Sequence, residues 1–289
     1  MIVLNVGKVR ISVIAENDFT FPHDLLLPAS TLEELKALDW LDAPFFGRED
    51  GTLTLRVQAF VIEAEGQRVV VDTCMGNDKP RSSPVGNMLR TDFMERFEAA
   101  GFAREAIDVV LCTHLHVDHV GWNTMLKDGK WVPTFPNARY LIGREEHDFW
   151  NKAAQERGSD DAAIMADSIQ PLFDHGVVDL VETDHVINAA LRLFSTPGHT
   201  PGHVSLAILS DGQQAILSGD FLHNPAQIGQ PDWGAFVDED SVRSAETRRA
   251  ELARLADEPV LLIGTHFPAP TAGYVVSDDD GYRFRGLRR

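Results

Sequence analysis

The stretch IDVVLCTHLHVDHVG, residues 107–121, decides how this chain is read. Ile107–Cys112 is short, apolar and rich in β-branched residues, as expected of a strand buried on both faces. Three histidines and an aspartate then fall within six residues: His114, His116, Asp118 and His119. His114 and His116 are two apart, so in extended chain they point the same way. Asp118 and His119 come where the chain must turn, before Gly121. One histidine there would be an ordinary polar loop residue. Clustered imidazolium groups repel one another, so a metal ion that keeps them neutral is the economical explanation. Imidazole nitrogen and carboxylate oxygen suit zinc, and also iron, manganese or cobalt.

The same context recurs three times downstream. Ser195-Thr-Pro-Gly-His199-Thr-Pro-Gly-His203 follows the strand-like Leu191–Phe194. Ser218-Gly-Asp220 follows Ala215–Leu217, and Gly264-Thr-His266 follows Val260–Ile263. Four strand ends that each deliver polar side chains would build one site on rigid supports, at one edge of stacked sheets.

This ordered series, HLHVDH, PGH, SGD and GTH, resembles the metallo-β-lactamase superfamily of metallohydrolases from about Val69 to Phe267. The resemblance implies an α/β (α+β) fold, an αββα sandwich of two mixed sheets packed face to face with helices outside. It also implies two divalent ions, zinc before iron, manganese or cobalt. His114, His116 and His199 would hold one ion, Asp118, His119 and His266 the other, and Asp220 would bridge them. The segment Val71-Asp72-Thr73-Cys74-Met75-Gly76 resembles the family's strand-end D-T-G, which supports the metal loop without ligating. The implied chemistry is cleavage by a metal-bridging hydroxide, with Asp118 orienting it and passing a proton. Acyl-homoserine lactonases commonly carry a tyrosine three residues after the bridging aspartate, whereas this chain has His223. His223 with Gln227 looks more like the branch containing methyl parathion hydrolase and related esterases and lactonases, so His223 joins Asp118 as a catalytic candidate.

The expected reaction is hydrolysis of a small neutral ester or lactone, with phosphotriesters as side substrates. The alternatives are a β-lactam or thioester hydrolase, or an iron-dependent oxygen-handling protein. Trp122, Trp233 and Phe267 are expected to supply pocket wall, and the loop Phe19–Leu27 to close over the site. His203 reads as a supporting residue, and Cys74 and Cys112 as small buried hydrophobes.

Composition narrows the partners. Asp plus Glu number 44 against 26 Lys plus Arg, a net charge of −18 over 289 residues. Such a chain repels phosphate backbones and anionic lipid, which excludes nucleic acid and membrane as main partners and leaves a small molecule. Two cysteines and no signal-like start point to the cytoplasm. Pairing among related enzymes makes a homodimer an expectation. With no linker-like tract, residues 1–289 read as one domain. Thr31 with Glu34 forms a capping box opening a helix, Phe93 and Phe97 mark another that Gly101 stops, and residues 161–173 and 241–256 read as two more. The arginines at 283, 285, 288 and 289 read as a solvated end.

Overall fold

The computed structural model describes residues 2–279 and 281–287. The chain opens with β1 (Ile2–Val6) and β2 (Val9–Pro22), an antiparallel hairpin turned at Gly7, whose φ is +56°. Strands β3 (Thr52–Ala64) and β4 (Gln67–Val71) follow as a second hairpin on β2. The order then runs outward through β5 (Val109–Leu111), β6 (Arg139–Gly143) and β7 (Val178–Val181), all parallel to β4. The short strand Phe46–Gly47 also pairs with β3.

A second sheet has the order β8 (Val186–Asn188), β9 (Leu191–Ser195), β10 (Val204–Ser210), β11 (Gln213–Leu217), β12 (Val260–Ile263), β13 (Ala272–Asp278) and β14 (Gly281–Gly286). Only β11 and β12 pair in parallel. Both sheets are therefore mixed.

Alternation along the strands makes the layers. On β3, Phe60 and Ile62 enter the core between the sheets with Val71, Leu111, Leu206, Leu217 and Ile263. Val57, Ala59 and Val61 point the other way, onto α1 (Phe93–Ala99) and α3 (Arg144–Arg157), through Phe93, Phe97 and Trp150. On the far side Ile216 and Leu262 meet Leu252 and Leu255 of α4 (Ser241–Leu255). Period-2 strands buried on both faces, covered by one-sided helices, yield helix, sheet, sheet, helix. Among the described residues, no helix is long and apolar enough to cross a membrane.

One expectation needs correction, and one helix was not expected. Residues 15–22 do not form a loop: β2 continues to Pro22, with a bulge between Ala15 and Asn17, because Phe19 and Phe21 pair against Leu55 and Leu53 on β3. Arg283 and Arg285 are exposed, as expected, but they stand on a strand and not on a loose end. Val275 and Phe284 bury themselves against Leu262 in the β13–β14 hairpin, which carries Arg283 and Arg285. Arg288 and Arg289 lie outside the described residues. The 14-residue α3 escapes the sequence reading because its exposed face is nearly all polar, leaving only Trp150 and Ala153 as buried apolar anchors.

Candidate metal centre

The strand ends predicted to carry the site do meet. His114 lies three residues past the end of β5, and α2 (Val117–Val120) begins right after His116, so Asp118 and His119 stand on its single turn. His199 lies in the turn between β9 and β10, Asp220 in the turn after β11, and His266 in the turn after β12.

Asp220 is the hub. Its Oδ2 lies 3.1 Å from His266 Nε2, 3.3 Å from His119 Nε2, 3.4 Å from His223 Nε2, 3.5 Å from His199 Nε2 and 3.8 Å from His114 Nε2. His199 Nε2 sits 3.1 Å from His114 Nε2 and 2.8 Å from His116 Nδ1. His266 Nε2 is 3.5 Å from Asp118 Oδ2. Donor atoms of His114, His116 and His199 all lie within 4.8 Å of one another, as do those of Asp118, His119 and His266, and of His114, His119 and Asp220.

The tautomers fit a metal. His119 Nδ1 donates to Asp72 Oδ2 at 2.9 Å, His199 Nδ1 to Asp238 Oδ1 at 2.9 Å, and His266 Nδ1 to the Arg56 carbonyl at 3.0 Å. His114 Nδ1 is 3.1 Å from Thr113 Oγ1, itself bonded to Asp72. In each ring the remaining nitrogen faces the centre, as metal-bound imidazoles require. His119 Nε2 and Asp220 Oδ1 are buried with no hydrogen-bond partner, and such orphaned atoms are costly unless an ion takes them. Burial, reinforced by neighbouring imidazoles, holds His114 and His199 well below the usual histidine range, and burial brings His116 down to about 4. These three rings are thus neutral at neutral pH, the form that binds metal; burial would lower His119 and His266 too, but Asp220 and Asp118 beside them raise both. Burial alone would raise Asp220, but the imidazoles of His119, His266 and His223 hold its carboxyl well below the ordinary range.

The supporting residues are equally well placed. Asp72 also accepts the Thr113 backbone N–H at 2.8 Å, the non-ligating role implied for it. His203 Nε2 accepts the Asp220 N–H at 2.7 Å while its Nδ1 donates to the Thr196 carbonyl, so it shapes the bridging loop from behind. Gln58 Nε2 donates to the carbonyls of Thr265 and Phe267 on the His266 turn. Cys74 and Cys112 are fully buried, and burial pushes the Cys112 thiol up to about 12. Both are packing residues.

A cavity of about 540 Å³ opens over the centre. Asp118, Asp220, His116, His223 and His266 form its polar floor, and Phe19, Phe21, Leu55, Val57, Trp150 and Phe236 are among its apolar walls. Trp122, Trp233 and Phe267, expected as pocket wall, do not line it. Trp122 stacks on Phe93 and donates to Glu16, Trp233 caps the turn held by Gln227, and Phe267 is wedged between Phe45 and Phe284. Aromatic residues next to ligands in sequence turned inward to the core, and β2 supplied the wall instead. His223 is buried in the floor with both ring nitrogens unpartnered. Its backbone N–H donates to Gln227 Oε1 at 2.7 Å.

Two functional residues escaped the sequence. Asp238 stands 39 positions from His199, in an acidic run that reads as solvated surface. Glu146 is one of two adjacent glutamates on a polar helix. Nothing local distinguishes either one.

Comparison with known proteins agrees with this geometry. The family model described as Metallo-beta-lactamase superfamily matches residues 53–266. An N-acyl homoserine lactonase of Bacillus cereus is 26% identical over 180 residues, covering 57% of this chain and 63% of the relative. The N-acyl homoserine lactonase AttM of Rhizobium radiobacter is 25% identical over 127 residues, 43% of this chain and 44% of that one. The chain thus spans less than two thirds of the length of these relatives. Among solved structures, hydrolase AbOPH of the beta lactamase superfamily superposes with a TM-score of 0.81 at 24% identity, covering 99% of this chain and 97% of that chain. AidC, a dizinc quorum-quenching lactonase in complex with a product, does so with 0.79 at 21% identity over the same shares. At these identities the structures testify to the fold, and the family model matches well over half of the chain: the chain belongs to the metallo-β-lactamase superfamily.

Proposed function

We propose that this protein is a metal-dependent hydrolase of small neutral lactones or esters. The observation that carries the proposal is the convergence of six candidate metal ligands around Asp220 on the floor of an apolar-walled cavity. His114, His116 and His199 would hold one divalent ion, Asp118, His119 and His266 the other, and Asp220 would serve both. When bound, two such ions polarise a carbonyl oxygen and lower the pKa of a water from about 15.7 toward about 7. The names of the Bacillus and Rhizobium relatives support lactones as the substrate class.

The remaining work falls to this chain's own groups. Asp118, a quarter exposed beside His119 and His266, faces the cavity. It takes the proton of the attacking water and returns it to the alkoxide that leaves when the acyl C–O bond breaks. The product is one hydroxy acid from a lactone, or an acid and an alcohol from an ester. His223, with unpartnered nitrogens, donates to the substrate carbonyl or the leaving oxygen. The walls around Phe19, Phe21 and Phe236 hold the apolar part of the substrate and exclude water. The same centre would accept a phosphotriester, with phosphoryl oxygen in place of carbonyl oxygen.

The test is a pH-stat panel of aliphatic lactones, aryl esters, a phosphotriester, a β-lactam and a glutathione thioester, with metal content measured on the same sample. Lactone or ester turnover that a chelator removes and zinc or manganese restores is the expected result. A metal-loaded protein silent on lactones and esters would refute the proposal.

A further inference from the structure

The repeated Pro-Gly in TPGHTPGH carries more than one ligand requires: its first half leads to His199, and its second half, Thr200-Pro-Gly202, ligates nothing. Its partner is Glu146, in the first turn of α3 and only 1% exposed. Glu146 Oε1 accepts the Leu115 backbone N–H at 3.0 Å and the Trp150 indole N–H at 2.6 Å. Its Oε2 accepts the Thr200 hydroxyl at 2.8 Å and the Gly202 N–H at 3.1 Å. Leu115 lies between His114 and His116, and Thr200 follows His199. One carboxylate therefore ties together two ligand loops that are 85 residues apart between His114 and His199. The Trp150 ring also packs edge-on against the His116 ring, with centroids 5.2 Å apart.

Gly202 explains the second glycine of the motif. A Cβ there would stand 2.3 Å from the Glu146 backbone nitrogen and 2.7 Å from its Cα, so only glycine lets the loop reach the helix. The other triad does not touch Glu146: His119 leans on Asp72, which also holds Thr113 beside His114, and His266 leans on the Arg56 carbonyl.

We propose that Glu146 is a positioning residue that fixes the spacing between the His114/His116 loop and the His199 loop, and thereby sets metal affinity at that triad without touching the ion. This rests on the dinuclear centre and not on the choice of substrate. All four partners are donors, so a glutamine is a poor replacement. Its amide NH2 would face either the Leu115 and Trp150 N–H groups or the Gly202 N–H, none of which can accept.

The experiment is stepwise zinc titration of metal-free protein against a chromophoric chelator, for wild type, Glu146→Gln and Thr200→Val. Wild type should take up two ions. Glu146→Gln should weaken one of them by about 10–100-fold, the range for lost supports of metal ligands, and leave the other within about threefold. Thr200→Val, which removes one of the four donors and keeps the carboxylate, should weaken the same ion by a smaller factor. Cobalt in place of zinc should show altered visible bands at the weakened position only. Two ions bound to folded Glu146→Gln with wild-type affinity, or both weakened equally, would overturn the clamp. If Glu146→Gln does not fold, unchanged affinities in Thr200→Val overturn it. A wild type that takes up no zinc would sink the dinuclear centre itself, and the clamp with it, whereas lactone turnover plays no part in the readout.

Discussion

At the scale of single residues, His119, His199 and His266 each give one ring nitrogen to a protein acceptor and turn the other to the centre. Asp72 and Asp238 accept from the outer nitrogens of His119 and His199, which turns the inner ones toward Asp220. Asp220→Ala should remove metal and activity together, with kcat down by more than about 100-fold, since losing a ligand outweighs losing its support. Full metal content with unchanged turnover in that variant would refute the bridging role. His223 differs from the proposed ligands: neither of its nitrogens makes a hydrogen bond in the protein, its Nε2 standing 3.4 Å from Asp220 Oδ2. His223→Phe should lower kcat on lactones by about 100–1,000-fold, the cost of one lost oxyanion donor, while metal content stays at wild-type level. Metal loss in that variant would make His223 a ligand instead.

At the scale of elements, the site depends on close backbone approaches between turns. The Gly121 N–H donates to the Cys74 carbonyl at 2.7 Å, and the Trp122 N–H to Thr73 at 2.7 Å, so the end of α2 lies directly on the turn after β4. A Cβ at residue 121 would stand 1.9 Å from the Met75 carbonyl carbon and oxygen. Overpacking of this kind typically costs about 1–3 kcal/mol. Gly121→Ala should lower the urea midpoint by at least that equivalent and reduce metal content, because the displaced element carries Asp118 and His119. A stable, fully loaded Gly121→Ala protein would show that the two turns can separate without harm to the centre. Much of this was legible beforehand: the strands feeding the four motifs, the capping box at Thr31 and the helix at 241–256 all follow local periodicity. The length of β2 was not, because Phe19 and Phe21 gain their strand character from pairing with β3, some 30 residues away.

At the scale of the whole molecule, polar groups are buried in quantity and their balance sets the response to pH. Lys79 is 1% exposed, bonded to Thr124 and Asp167 and seated over the Trp131 ring. Burial outweighs the attraction of Asp167 and brings its ammonium down from 10.5 to about 8. Between these values the unfolded chain holds a proton that the folded protein has released, so raising the pH through that window favours the fold. At about 1.4 kcal/mol per pKa unit, the effect is at most about 3.5 kcal/mol. Urea unfolding of wild type and Lys79→Met at several pH values should show the difference moving toward wild type from pH 8 to 10.5. A flat difference would mean that Lys79 stays charged in the fold. Chelation should likewise lower the unfolding temperature, because ions that bind only the folded state stabilise it by mass action.

The sequence alone determined which candidate ligands meet at the centre. His114, His116, Asp118 and His119 fall within six residues just after β5, and local geometry suffices to group them. The later ligands each follow their own strand in a recognisable order. Tertiary structure alone decided what surrounds that chemistry. Glu146, Asp238 and the wall from β2 act across 30 or more positions of chain, and Trp122, Trp233 and Phe267 turned into the core instead of the cavity. Hydrophobic pattern tells a residue that it will be buried; only the packing of the layers tells it against which face.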